Sequence, residues 1–218
     1  MKLAIMQPYF FPYLGYFQLI STVDKFILYE HVQYIKKGWI NRNRIIELNK
    51  GDIYIRVPIK KKETNPYICE AEIDNSTLWG KKIINLLFYN YKKSPFFEEI
   101  YPFFENIFNQ HYDKICKMNI ETIKAVVSLL RIETQLVESC QDYLLIEEDL
   151  KKNTYPIDVK TQRVVSICKY ENANIYVNAI GGMELYKKED FIQNHIDMFF
   201  LKTKDYTYHQ PLQNFIPH

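Results

Sequence analysis

The first 34 residues constrain the fold more than any other stretch. "KLAIM" (2–6) is a short apolar run halted by Gln7-Pro8, the pattern of a buried strand with a sharp end. Pro8 and Pro12 rule out a helix between them and hold the segment as an extended loop. In "GYFQLISTV" (15–23), Phe17, Leu19 and Ile20 fall at helical spacing, which predicts a helix beginning near Leu14. "DKFILYEHVQY" (24–34) has a continuous apolar centre and reads as the next strand. Strand, loop, helix and strand within that length make a βαβ unit, whose two strands run parallel.

Further along, "RNRIIEL" and "DIYIRVPI" read as strands joined by a turn at Asn49-Lys50-Gly51-Asp52. "NSTLWGKKIINLLFYNYKKS" (75–94) reads as a helix with Asn75 or Ser76 as N-cap, and residues 95–132 as mostly helical. Thr161 is expected to begin the helix "TQRVVSICKYENA"; "NIYVNA" is a strand closing at Gly181-Gly182. A short helix, "LYKKEDFIQNHI", and a last strand, "DMFFLKT", follow. Strands at both ends with helices between them imply an α/β fold: a predominantly parallel, Rossmann-like sheet flanked by helices, with strand 2–6 central. The expected organisation is a single domain over 1–218 with a helical insertion at about 75–132.

Composition narrows the function classes. Hydrophobic residues at 47% and charged residues at 25% exclude a disordered or collagen-like chain. A net charge of +2 gives no ground for a nucleic-acid partner. The four cysteines are scattered, with neither a CxxC pair nor metal-ligand spacing to histidine; this fits thiols in a reducing cytoplasm, without a bound metal. No signal peptide is read, and no run reaches the roughly 18 apolar residues of a membrane span, so stable membrane insertion is not expected. GxSxG, Walker and GxGxxG patterns are absent, which removes the usual serine-hydrolase, P-loop and dinucleotide signatures, and no cofactor is expected. The 18 Tyr and 14 Phe fit the codon bias of an AT-rich genome as well as a function.

Three stretches carry chemistry. After a first parallel strand, "QPYFFPYLGYF" lies at the sheet's carboxyl edge, where α/β proteins bind ligands. Gln7, Tyr9, Tyr13 and Tyr16 offer polar groups on bodies suited to a base or sugar, and Gly15 would let a phosphate approach the helix N-terminus; the alternative is an aromatic plug. In "QYIKKGWINRNRI", Lys36, Trp39, Asn41, Arg42, Asn43 and Arg44 suggest a ring to stack on and a two-pronged guanidinium clamp for phosphate, against the alternative of a solvated basic hairpin. In "DVKTQR", Lys160 and Arg163 flank Thr161. Cations oppose the macrodipole at a helix N-terminus unless an anion sits there. Gly181, Gly182 and Tyr186 follow a strand expected to reach the same edge. Glu30 and His31 are the acid–base candidates. All these stretches are expected to converge on one cleft.

The opening, "VDKFILYEHVQYIKKGWINRNRI", "KTQRVVSICK", "YVNAIGG…LY" and the late "YHQ" resemble the WbqC-like family over essentially the whole chain. The resemblance adds Gln33, His209 and Gln210 to the expected binding residues. Such proteins are associated with gene clusters for lipopolysaccharide O-antigen and other surface glycans, alongside nucleotide-sugar enzymes. Where the family carries an acidic pair before Val-Gln, this chain has Glu30-His31. The family tends to continue past "FIPH" with an apolar helix, so a shortened C-terminal end is expected. The opening is also similar in rhythm to nucleotidylyltransferases, but Tyr13 and Gly15-Tyr16 stand where those have a His-x-Gly-His turn, so that chemistry does not carry over. The resemblance implies a cytoplasmic transferase acting on a nucleotide-linked amino sugar or another phosphorylated small molecule, moving an acyl or aminoacyl group. Nucleotidyl or glycosyl transfer, and a non-catalytic binding role, stay open, as does homo-oligomerisation.

Overall fold

The computed structural model describes residues 1–48, 50–138, 141–204, 207, 208 and 210. Along the chain run β1 (Lys2–Met6), α1 (Leu14–Thr22), β2 (Lys25–Leu28), β3 (Arg42–Glu47), β4 (Gly51–Arg56), α2 (Trp79–Tyr91), α3 (Phe97–Asn109) and α4 (Ile115–Leu129). β5 (Gln135–Val137), α5 (Leu144–Lys152), α6 (Val159–Tyr170), β6 (Ile175–Ala179), α7 (Lys188–Ile192) and β7 (Asp197–Leu201) follow. They divide between two compact units. A sheet unit comprises Met1–Gln7, Tyr13–Glu30 and Lys124–Lys204; a hairpin unit comprises Pro8–Pro12 and His31–Ile123, with residues 207, 208 and 210.

In the sheet unit, five strands lie in the order β5-β2-β1-β6-β7, and every neighbouring pair is parallel. β1 is central, as its uninterrupted apolar run predicts, because parallel strands covered on both faces carry no polar alternation. Leu3 and Ala4 of β1 and Phe26, Ile27 and Leu28 of β2 are fully buried. α1 buries Tyr16, Leu19 and Ile20, and α6 buries Val165, Ile167 and Cys168. The result is the parallel α/β sheet flanked by helices that the sequence implies.

In the hairpin unit, β3 and β4 pair antiparallel, with Arg42 opposite Arg56 and Arg44 opposite Tyr54. Alternation puts these four on one face and Asn43, Ile45, Ile53 and Ile55 on the other. The second face joins an apolar core with Ile83, Leu87, Phe108 and Ile115. Gly80 is required where α2 meets α3, since a Cβ there would lie 2.6 Å from the Phe108 carbonyl oxygen.

Two helix starts differ from the sequence expectation. Neither Asn75 nor Ser76 caps α2, which begins at Trp79 without a side-chain cap. The Asp74 carboxylate takes the Ser76 N–H at 3.0 Å, and Asn75 instead accepts the Trp79 indole N–H at 3.2 Å. Nor does Thr161 begin α6: Asp158 is its N-cap, accepting the Lys160 N–H at 2.9 Å, and Thr161 is buried inside the first turn.

Candidate functional site

The chain order of the parallel sheet locates a crevice. From β1 the chain steps through α1 to β2 on one side, whereas β6 lies on the other side and continues outward to β7. Such a reversal opens a ligand crevice outside the carboxyl ends of the two strands at the switch, here β1 and β6. Gln7 follows β1, Ile180–Leu185 forms a 3₁₀ turn after β6, and Glu30 stands two residues past β2 at the same edge. Within that turn the two glycines differ. Gly182 is buried, and a Cβ there would sit 2.4 Å from Nδ2 of Asn178, while Gly181 has nothing within 4 Å of a Cβ. Gly182 is needed for packing; Gly181 leaves open space at the edge.

Glu30 is 7% exposed and makes no hydrogen bond or ion pair among the described residues. Next to it, Tyr29 donates its hydroxyl to Glu147, whose carboxylate also receives Nε of Arg163 at 2.5 Å and Nη2 at 3.0 Å. Arg163 is thus held by an internal carboxylate, and the N-terminus of α6 has its own anion in Asp158. The charge mismatch expected there, with its implied anion site, is resolved within the chain. Lys160 is exposed. The Tyr186 ring packs edge-on against Tyr176 and Phe191 at 6.2 and 5.8 Å.

Gly15 does not leave α1 open to a phosphate: a Cβ there would lie 2.4 Å from the Tyr13 ring and 2.5 Å from Oγ1 of Thr203. Tyr16 is buried, and its hydroxyl donates to the Gln7 carbonyl at 2.9 Å, tying α1 to the end of β1. Tyr13 is half-exposed.

The remaining candidates belong to the hairpin unit. Pro8–Pro12 is anchored there: the Phe10 N–H reaches Trp39 O at 2.9 Å, and Phe10 is buried. The Asn43 amide grips the carbonyls of Phe10 and Phe11. Phe11 has a φ of 46°, a left-handed backbone unfavourable for a bulky residue, and its ring packs on Phe104 and Phe108 at 5.3 and 5.6 Å. Tyr9 is partly buried beside the same core. Asn41 donates to Val57 O at 2.8 Å. Asn119 lies in no motif; it is fully buried and donates to Pro8 O and Ile40 O, each at 2.8 Å.

The guanidinium clamp has the predicted alternation, but both prongs have partners. Arg42 reaches the carbonyls of Gly38, at 3.2 Å, and Lys37, and lies 4.6 and 5.7 Å from the centroids of Tyr54 and Trp39. Arg44 pairs with Asp52 at 2.9 Å. Lys36 and Gln33 are exposed, and Gln33 bridges to Tyr67. Nδ1 of His31 is buried without a hydrogen-bond partner among the described residues. Gln210 is buried, and His209 lies outside the described residues. Of the stretches expected to converge, "KTQR" and "AIGG" belong to the sheet unit, "NRNR" to the hairpin unit, and the opening to both.

The hairpin unit also contains two cavities. One, about 410 Å³, is walled by Phe11, Leu87, Phe96, Phe104 and Phe108. Its Asn43 amide and the Tyr91 hydroxyl, which accepts the Ile46 N–H at 2.8 Å, are already engaged. The other, about 500 Å³, is lined by Arg56, Lys81 and Lys82 with Thr77, Trp79 and Asn85. These cations are scattered in sequence, so only the fold brings them together.

Among the described residues no helix is long and apolar enough to cross a membrane. No solved structure matches the chain. Over 179 residues the chain is 35% identical to Uncharacterized protein Rv1507c of Mycobacterium tuberculosis, a match covering 81% of this chain and 71% of that protein. The model of the WbqC-like protein family matches residues 7–218, and with that extent of agreement the chain belongs to the WbqC-like family.

Proposed function

We propose that the protein is a transferase of bacterial surface-polysaccharide assembly, moving an acyl or aminoacyl group onto the amine of a nucleotide-linked sugar. The observation that carries this reading is Glu30, a 7% exposed carboxylate without a partner among the described residues, at the carboxyl edge beside the β1–β6 switch. Parallel α/β sheets bind small ligands at that place. Acyl transfer to an amine requires an acceptor for a proton. As the sugar nitrogen bonds to the acyl carbon, its proton passes to the Glu30 carboxylate and the donor's thiolate or phosphate departs. Gly181 leaves room for a ligand at this edge. Family membership supports the pathway, through the surface-glycan association that the resemblance implies.

The test pairs UDP-, dTDP- and GDP-linked amino sugars with acyl thioesters and aminoacyl donors, and reads the sugar's mass gain by mass spectrometry. A product is expected from at least one pair. Glu30→Gln should lower its formation about 100-fold or more with an unchanged melting temperature. No product from any pair, or an unaffected Glu30→Gln, overturns the assignment.

A further inference from the structure

The cationic cavity of the hairpin unit has a composition that calls for an anion. Arg56 comes from the end of β4, and Lys81 and Lys82 come from the first turn of α2. None of the three has an ion-pair partner among the described residues. α2 is 13 residues long and opens without a side-chain cap or an acidic residue in its first turn. Two lysines therefore stand at the positive end of an uncapped helix, an arrangement that a bound anion offsets. The acids of the preceding segment are engaged elsewhere: Glu72 is shared by Lys60, Lys62 and Lys114, and Asp74 takes the Ser76 N–H. The mismatch that Asp158 resolves at α6 thus persists at α2.

Beside the cavity lies an aromatic surface. The Arg56 guanidinium is 5.7 Å from the Tyr54 ring centroid, and Tyr54 lies 6.4 Å from Trp39. The two rings are 47% and 42% exposed. Arg56 therefore borders both a cationic hollow and a pair of part-exposed rings, over which Arg42 also lies at 4.6 and 5.7 Å.

We propose that this surface binds a nucleoside diphosphate, with the phosphates on Arg56, Lys81, Lys82 and the Thr77 hydroxyl and the base against Tyr54 and Trp39. The assignment concerns the hairpin unit alone and goes beyond the reading of Glu30, on which it does not rest. Guanidinium and ammonium groups together suit two adjacent phosphates, and exposed tyrosine and tryptophan suit a planar base.

Calorimetry on the full chain with UDP, ADP, GDP and CDP, inorganic pyrophosphate and a single-stranded oligothymidylate tests it. At least one nucleoside diphosphate should bind with one-to-one stoichiometry, and at least tenfold tighter than pyrophosphate. The Lys81→Ala/Lys82→Ala double variant, altered only at exposed positions, should weaken that nucleotide roughly 10-fold or more. Tyr54→Ala should weaken the nucleotide while leaving pyrophosphate unchanged. Equal binding of pyrophosphate would mean a bare phosphate site, and tighter, salt-dependent binding of the oligothymidylate would mean a nucleic-acid surface; either overturns the proposal. So does an unchanged affinity in the lysine variant, or no binding by any nucleotide. Nucleotide binding without acyl transfer would sink the transferase reading alone.

Discussion

Glu147 keeps a charge inside the sheet unit at 8% exposure, and its neighbours make that tolerable. Arg163 meets it with two nitrogens and Tyr29 adds a hydroxyl, so both carboxylate oxygens have donors. Arg163→Met would strand the carboxylate, and breaking a buried pair from one side costs about 3–5 kcal/mol. For a chain of this size that lowers the melting temperature by roughly 6–20 °C. Adding Glu147→Gln to Arg163→Met should recover much of the loss, because no uncompensated charge remains; thermal unfolding of both variants checks it. Arg163 was legible as a cation in the right helix, but not its partner. Glu147 lies on α5, and nothing in the spacing of the two residues announces that they meet. Arg44 teaches the same: its partner Asp52 follows from the register of β3 on β4, which seats Asp52 opposite Ile46.

At the scale of elements, the strands were more legible than the helix starts. A run such as "KLAIM" has one interpretation once prolines close it, whereas several residues near a helix N-terminus can cap it and only backbone geometry selects one. Asp158 and Thr161 are both capping types; the chain turns at Asp158, which leaves Thr161 inside. Asp158→Ala should therefore cost about 1 kcal/mol and lower the melting temperature by roughly 2–4 °C. Thr161→Val, at a buried position whose hydroxyl is not the cap, should leave that end of the helix intact. Circular dichroism melts of the two variants distinguish them, and a larger effect at Thr161 than at Asp158 would return the cap to the position expected from sequence. At α2 the opposite lesson holds. Three cap-type residues, Asn75, Ser76 and Thr77, precede it, yet none caps it, and that vacancy only becomes informative once Arg56 is seen beside it.

Across the whole molecule, the α/β class and the central place of β1 could be read from periodicity, because each depends on local patterns repeated along the chain. The cationic cavity could not, since β4 and α2 must first be folded against one core. The division into units was illegible for a related reason: the chain crosses between them on both sides of Pro8–Pro12, after Glu30 and in the middle of α4, among other places, without a glycine- or serine-rich linker to mark them. Because β1 bonds to β2 on one side and β6 on the other, the strands should open together. In native-state hydrogen exchange, amides of Ala4, Ile5 and Ile27 are expected to share one opening free energy with those of Val177 and Asn178. Separate values for β1 and β6 would show that the sheet is not one cooperative unit.

The central position of β1 also bears on how the protein is made. Leu3 finds Tyr176 as its partner across most of the sequence. At a synthesis rate of about 5–20 residues per second, β1 leaves the ribosome roughly 10–30 s before β6 exists to cover it. For that interval its apolar edge is an open template for other chains, and parallel pairing across so long a loop is slow even when both strands are present. The hazard for this protein in the cell thus falls during translation, and a slower-translated or overexpressed message would lose material to aggregation that the finished sheet, once closed, resists.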